Sequence, residues 1–237
     1  MPVHHYLTYR GRRSLDFRAF ISGGGTFSAP ERDVDSFDVP GRSGKLLIDN
    51  GRFKNISVEY DAYITKDFER NMEALRGFLL SAYGYFRLED TYHPQEYRMA
   101  AFAGPIEPDV YYARHGSFTL KFDCMPQRWL KSGDIAAKID AGETVKIWNP
   151  TEFTAKPIIS VAGTGTFSIN GEVVAVNANN GALVIDCERE ECFEGSTNRN
   201  PDVLFGDAKF PAFIPGENAI LAGSGIYLQI QPKWWTV

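Results

Sequence analysis

The chain has 237 residues, 43% hydrophobic and 23% charged, with a formal net charge of −5. These values are typical of one or two globular domains and argue against a disordered chain. No segment approaches the roughly 18 consecutive apolar residues of a transmembrane helix, so we expect no membrane segment. Three cysteines are too few for a disulfide framework and favour a reducing compartment. The many aromatic, Gly and Pro residues favour a mainly β protein.

The first half of the chain carries two clear strand signals. Apolar residues alternate with other side chains over 56–64, which predicts a strand that is buried on one face. The same alternation returns over 118–124. Together these segments predict a β-sheet in this half.

Helical periodicity is strong in one segment, 65–83. Thr65 is the expected N-cap, because its hydroxyl can accept a free backbone N–H, and Gly84 is expected to end the helix. Apolar residues at spacings of three and four form one stripe, made of Phe68, Met72, Leu75 and Leu79. We therefore predict one helix that covers an apolar face of the sheet.

Short strands and turns follow one another in the second half, which predicts an antiparallel β-sandwich. Asn170-Gly171 is the strongest hairpin signal, since both residues tolerate positive φ, and Asn180-Gly181 suggests a second turn. Charge also changes along the chain: residues 1–132 carry a net charge of +1 and residues 133–237 carry −6. We therefore predict two domains with these bounds.

No residue pattern argues for catalysis, a metal or a cofactor. The Gly-x-Ser-x-Gly nucleophile motif is absent. Cys187 and Cys192 lack further zinc ligands nearby, because no histidine lies beyond His115. Cys187 continues the alternation of its strand, so we expect a buried structural thiol. Neither half has the clustered Lys and Arg face that duplex nucleic acid requires. We predict a protein that is not an enzyme and needs no cofactor.

Aromatic side chains leave carbohydrate binding open as an alternative function. Trp148 or the pair Trp234-Trp235 could stack on a sugar ring. Tryptophans of this kind more often complete a core or an interface.

Several motifs, taken in order, resemble the distal tail protein (Dit) family of long-tailed siphophages. The first is the stretch Phe37-Asp38-Val39-Pro40-Gly41-Arg42-Ser43-Gly44 with its continuation over 53–58, followed by a long strand and a helix. The second half adds Asn149-Pro150-Thr151, Ala155-Lys156-Pro157-Ile158-Ile159, Ile169-Asn170-Gly171, Phe210-Pro211, Pro215-Gly216-Glu217-Asn218 and Pro232-Lys233-Trp234-Trp235-Thr236. The order and spacing of these motifs carry the resemblance over nearly the whole chain.

The resemblance implies a structural phage or prophage protein. Members form a homo-hexameric ring whose N-terminal domains contact the tail-tube protein on one face and the tail-tip or tail-associated lysin protein on the other. Their C-terminal domains are galectin-like sandwiches that project outward, and some members also hold a receptor-binding protein. The resemblance places the protein in the virion tail and its assembly in the host cytoplasm. The genome would pass through the ring without sequence-specific recognition.

Two details of the sandwich half limit what the resemblance carries over. Residues 133–237 leave room for one sandwich and no added binding module. The His-x-Asn-x-Arg stretch and following Trp of true galectins are absent, so galectin-type sugar binding has no matching residues.

A closed ring requires two different contact surfaces on each subunit. Pro40, Gly41 and Gly44 predict a constrained loop, and Arg42 on this loop can donate paired hydrogen bonds to a neighbour's carboxylate. These four residues form the candidate interface. A solvated arginine on a turn is an equally open interpretation, and a carbohydrate-binding adhesion module is the alternative function.

Overall fold

The computed structural model describes residues 4–25, 27–111, 114–207 and 209–237, and of residues 179 and 180 it describes the backbone alone. The chain divides into two compact units, one of residues up to Arg128 together with Val237 and one of Trp129–Thr236. The predicted fold class, mainly β with a single α-helix, is confirmed for the described residues. In the same residues, no helix is long and apolar enough to cross a membrane.

The first unit is built around one curled antiparallel sheet. The elements of the unit, with a 3₁₀ turn at Ser14–Phe17, are β1 (Leu7–Tyr9), β2 (Arg12–Arg13), β3 (Ala19–Ser22), β4 (Arg32–Asp38), β5 (Lys45–Phe53), β6 (Ile56–Ile64), α1 (Phe68–Leu80), β7 (Phe86–Asp90), β8 (Glu96–Phe102), β9 (Asp109–Tyr111) and β10 (His115–Leu130). The strand order of the sheet is β2-β1-β7-β8-β10-β6-β3. The curl brings Ile21 on β3 close to the start of β1, where Ile21 N–H donates to His5 O at 2.9 Å.

The two strands predicted from alternation lie side by side in this sheet. β6 pairs with β10 antiparallel over nine residues, from Ile56 opposite Cys124 to Ile64 opposite Gly116. Their inward side chains form the core, and α1 covers it with the predicted stripe of Phe68, Met72, Leu75 and Leu79, all buried. Periodicity therefore identified both the sheet face and the helix face correctly.

The predicted ends of the helix are wrong by a few residues. The N-cap is Asp67, whose left-handed φ of 50° turns the chain out of β6 and into the helix, so Thr65 lies too early. At the other end the helix stops at Leu80. There Arg10 Nη1 donates to Phe78 O at 3.1 Å and to Ser81 Oγ at 3.0 Å. A cation at the last helical carbonyls is favourable because of the helix dipole.

The second unit is an antiparallel sandwich. With 3₁₀ turns at Lys131–Asp134 and Asn200–Asp202, its strands are β11 (Ala137–Ile139), β12 (Thr144–Asn149), β13 (Ile158–Ile169), β14 (Glu172–Asp186), β15 (Glu191–Glu194), β16 (Thr197–Asn198), β17 (Val203–Phe205), β18 (Gly216–Ala222) and β19 (Ile226–Gln231); the short strand β20 (Trp235–Thr236) follows them. The sandwich is built on one long hairpin, β13–β14. One half of this hairpin pairs with β19 and β15, and the other half with β18 and β17.

Two turns were predicted along this hairpin, and one is confirmed. Asn170 and Gly171 connect β13 to β14 with φ values of 54° and 89°, which is typical of a type I′ turn. The second prediction, Asn180-Gly181, is wrong because these residues lie inside β14. They lie opposite the bend of the hairpin, where the partner of β13 jumps from Ala182, opposite Ala162, to Ala178, opposite Gly163. A side chain at Gly163 would approach Gly225 O to 2.1 Å, so this bend requires glycine.

Candidate subunit interface

β4 and β5 form a two-stranded sheet of their own, here called the arm (residues 31–54). Within the described part of the chain these strands pair only with each other. Lys54 N–H donates to Glu31 O at 2.8 Å and closes the base of the arm. Nearly every side chain along the arm is exposed or half-buried. An isolated two-stranded hairpin is at best marginally stable in water, so this element needs stabilisation from other contacts.

The predicted loop residues lie together at the tip of the arm. Arg42 N–H donates to Val39 O at 3.1 Å. Pro40 and Gly41 occupy the two central positions, and Gly41 has a φ of 79°, which is typical of a type II turn. Gly44 follows with a φ of 85°. Arg42 is exposed, and its side chain has no hydrogen bond or ion pair among the described residues.

Charged side chains at the base of the arm are paired across the two strands. Arg32 donates to Asp49 at 2.7 Å, Arg52 donates to Asp33 at 2.7 Å, and Lys54 donates to Glu31 at 3.3 Å. Two hydrogen bonds hold the pKa of Asp49 below its ordinary value: the bond from Gly51 N–H has the larger effect, and the bond from the Arg32 guanidinium the next largest. The base therefore satisfies its own charges within the hairpin.

Toward the tip the same hairpin becomes apolar. Phe37 lies directly opposite Leu46, and Ile48 is two residues further along β5, so these three side chains share one face. They are 51%, 42% and 48% exposed, and Leu47 on the opposite face is 65% exposed. Contiguous exposed apolar side chains at the end of a projecting element are typical of a protein contact.

The sequence predicted the loop but missed this apolar face. The signal was present: Leu46, Leu47 and Ile48 are consecutive apolar residues in a strand that reads as polar elsewhere. Periodicity treats such a run as buried, and only the structure places it on an exposed hairpin.

The tryptophans considered for carbohydrate stacking separate into two groups. Trp234 is buried in the sandwich core, and Trp235 stacks on Phe153 at 4.4 Å while its Nε1–H donates to Thr154 O. Trp148 on β12 is 67% exposed, with Glu217 as its cross-strand neighbour. Of these three, Trp148 alone is available to a ligand.

The cysteines have the environment of core residues. Cys187 and Cys192 are free thiols within the sandwich core. Burial raises the pKa of Cys192 to about 11 and also raises the pKa of Cys187, and both thiols therefore stay protonated and unreactive near neutral pH. No group of three potential metal ligands occurs in the described residues.

No family model and no curated protein matches the sequence. A solved structure does match: the crystal structure of the Dit (gp 19.1) protein of phage SPP1, described as a paradigm of the hub adsorption apparatus in phages that infect Gram-positive bacteria. The match has a TM-score of 0.74 and covers 98% of this chain and 99% of that chain, at 14% sequence identity. The chain has the Dit fold. The resemblance predicted from sequence motifs is confirmed at this level.

Within the Dit fold, several of these motifs have structural roles that do not require a partner. Asn218 is fully buried; its Oδ1 accepts hydrogen bonds from Asn170 and from Ile214 N–H, and its Nδ2–H₂ donates to the carbonyls of Ile214 and Gly216. Asn149 is also buried and donates to Phe153 O at 2.9 Å. The Asn170–Asn218 bond joins two turns that are distant in sequence. Both buried amides thus have the hydrogen bonds that buried polar groups need.

Proposed function

We propose that the protein is a structural subunit of a phage or prophage tail, a distal tail protein that assembles as a homo-hexameric ring and is not an enzyme. The Dit fold supports this role across the whole chain. In this proposal residues 1–132 form the ring and residues 133–237 form an outward sandwich. The ring joins the tail-tube protein to the tail-tip or tail-associated lysin protein, and a receptor-binding protein is a further partner. The site of action is the virion tail, after assembly in the host cytoplasm.

The arm is the observation that supports subunit assembly most strongly. Its base pairs its own charges, so contact with a neighbouring subunit there would not leave those charges unpaired. At its tip, the side chains of Phe37, Leu46 and Ile48 share one face and remain exposed. Burying this apolar face is favourable by roughly 25 cal/mol for each Å² of apolar surface that is removed from water. A neighbouring copy of the chain is the proposed occupant, because a closed ring requires head-to-tail contacts.

Arg42 supplies the polar part of the proposed contact. It lies at the arm tip beside the apolar face, exposed, on a turn fixed by Pro40 and Gly41. An arginine held on a constrained turn can donate two parallel hydrogen bonds to a carboxylate. Arg42 is proposed to provide the polar, direction-setting part of the contact.

Native mass spectrometry and light scattering of the full chain test the assembly. We expect a species of six times the 26.5 kDa chain mass. Replacing Phe37 and Leu46 together by serine should yield a folded monomer, and R42E should weaken the assembly. Leu204→Ser is the matched control, because Leu204 is also an exposed apolar side chain but lies on the sandwich. This variant should assemble like the wild type.

Two outcomes would count against the proposal. A wild-type chain that remains monomeric even when mixed with its tail-tube protein would overturn the ring. A hexamer that survives the double serine substitution would remove the arm from the interface.

The alternative function, a carbohydrate-binding adhesion module, is supported by the exposed Trp148. It predicts a monomer with a glycan-array signal that is lost in Trp148→Ala. A hexamer with no glycan signal would favour the structural role.

A further inference from the structure

The outer face of the first unit's sheet has paired charges at one end. Lys121 on β10 lies opposite Glu59 on β6, and their side chains form an ion pair at 2.8 Å. Further along β10, Asp123 accepts hydrogen bonds from the Tyr85 hydroxyl and from Asn55 Nδ2, both at 2.9 Å. This part of the face therefore satisfies its charges within one chain.

At the other end of the same face, three carboxylates lack a cationic partner. Asp61 on β6, Glu107 just before β9 and Asp109 on β9 line one surface pocket of about 290 Å³, here called the acidic pocket. All three are exposed, and none forms an ion pair among the described residues. The Thr119 hydroxyl donates to Asp61 Oδ1 at 2.9 Å but brings no charge. Carboxylates that share one pocket repel one another, so a cationic partner is favourable here.

The acidic pocket lies beside an exposed edge strand. Among the described strands, β9 pairs with β10 alone. The side chains of Val110 and Tyr111 on β9 are 53% and 55% exposed, and the aromatic ring of Tyr63 on β6 also lines the pocket. An exposed edge strand with apolar side chains is typical of a contact with another protein. This surface thus combines unpaired negative charge with exposed apolar side chains.

The tip of the arm has the complementary composition. Arg42 and Lys45 are exposed, and neither forms an ion pair among the described residues. Asp38 lies opposite Lys45 and is the one acidic residue between positions 37 and 46, so two cations against one carboxylate give this segment a net charge of +1. The apolar face of the arm tip lies next to these cations. Unpaired charges of opposite sign therefore lie beside exposed apolar side chains on the arm and on the sheet.

The exposed aromatic surface of the sandwich is a poorer match for the arm. Trp148 lies opposite Glu217, and Glu217 already forms an ion pair with Lys146 at 2.8 Å. This carboxylate would have to leave its partner before it could accept from an incoming arginine. Charge complementarity therefore favours the acidic pocket.

We propose that the acidic pocket and β9 of one subunit receive the arm tip of a neighbouring copy of this chain. Arg42 and Lys45 donate to the carboxylates of the pocket, and the apolar side chains of the arm tip pack on Val110 and Tyr111. The inference rests on the proposed ring and names the surface that the arm occupies. The arm tip and the acidic pocket are different surfaces, as head-to-tail contacts in a closed ring require.

Charge reversal on the two surfaces tests the contact, because each reversal should be repaired only by the other. R42E/K45E reverses the arm tip, and E107K/D109K reverses the acidic pocket. By native mass spectrometry, each variant alone should need an at least about tenfold higher concentration than the wild type to form the six-chain species, because like charges then meet. An equimolar mixture should assemble like the wild type with three copies of each chain, since every arm tip then meets a pocket of opposite charge.

Matched controls reverse the same number of charges on the sandwich. K138E/K209E and E152K/E172K change exposed residues there, and both variants should assemble like the wild type. Circular dichroism should show that every variant is folded. If a reversed chain does not fold, R42Q and D109N form a double-mutant cycle instead, in which the combined loss of assembly should be smaller than the sum of the two single losses.

The outcomes separate this inference from the proposed function. Folded reversed chains that stay monomeric in the mixture, a reversed chain that assembles by itself like the wild type, or additive losses in the cycle would overturn the contact but leave a wild-type hexamer in place. A wild-type chain that remains monomeric even with its tail-tube protein would overturn both.

Discussion

The arm and the β13–β14 hairpin are built from similar local signals but lie in opposite environments. Each has a tight turn that contains a glycine with positive φ, at Gly41 and at Gly171, and each pairs its strands in antiparallel register. The β13–β14 hairpin supplies side chains such as Phe167 and Ile185 to the sandwich core. The arm contributes no residue to either core and holds its base with ion pairs.

This difference separates what stabilises the fold from what is available for assembly. The inward apolar side chains of β13 and β14 are already buried, so their contribution to stability is realised within one chain. Those of the arm tip remain exposed, so their hydrophobic contribution is still available to a neighbouring subunit.

The largest loss of unfolding free energy is expected for a substitution in the β13–β14 hairpin. Phe167→Ala removes a side chain that is 1% exposed and should lower the free energy of unfolding by about 3–5 kcal/mol. All four tryptophans of the chain lie within 129–235, in the second unit, so tryptophan fluorescence during urea unfolding reports on this unit.

Phe37→Ala is the matched control for that prediction. It makes the same truncation on the arm, where the side chain is half-exposed. Its effect on the unfolding of the dilute, monomeric chain, followed by circular dichroism, should stay below about 0.5 kcal/mol, because no neighbouring subunit then covers the arm. A comparable loss in both variants would mean that the arm is part of the folded core, and the contrast between the hairpins would fail.

An intermediate effect is expected at the buried amide that anchors the β13–β14 turn. Asn218→Ala leaves Asn170 Nδ2 and Ile214 N–H without their acceptor and should cost about 2–3 kcal/mol. Asn198→Ala is the control, because Asn198 is exposed and accepts one hydrogen bond, from Asn200 N–H. Equal losses in urea unfolding of the two variants would contradict the structural role given to the Asn218 network.

The smallest effect is expected at the base of the arm. The pKa of Asp49 in the folded chain lies below its ordinary value of 3.8, so its contribution to arm order is fully present above that pH. This contribution is lost as the pH falls through the folded pKa. A carboxyl-carbon NMR titration should give a midpoint below 3.8. In Arg32→Met the midpoint should rise only part of the way, because the Gly51 N–H bond remains. A wild-type midpoint at or above 3.8 would contradict the pairing at the base.

Local patterns were sufficient for much of the fold. Strict alternation over 56–64, the helical stripe from Phe68 to Leu79 and the Asn170-Gly171 turn each depend on short-range geometry, which sequence records directly. The Asn180-Gly181 prediction failed because the same dipeptide can lie inside a bent strand, where pairing with a distant segment decides the conformation. The bend at Gly163 depends on the approach of Gly225, far away in sequence.

By itself, the sequence determined the fold class, the helix face, the hairpin loop with Pro40, Gly41, Arg42 and Gly44, and the resemblance to Dit proteins. Tertiary structure alone decided which apolar residues are buried. Leu46 and Ile48 are indistinguishable by residue type from the leucines and isoleucines of the cores, yet they remain exposed. In the described part of the chain, the strands of the arm pair only with each other. Arg98 likewise reads as an ordinary strand arginine, and only the curled sheet carries it into the interior, where its Nη1 has no hydrogen-bond partner among the described residues. Burial is a property of long-range packing, and local patterns do not contain it.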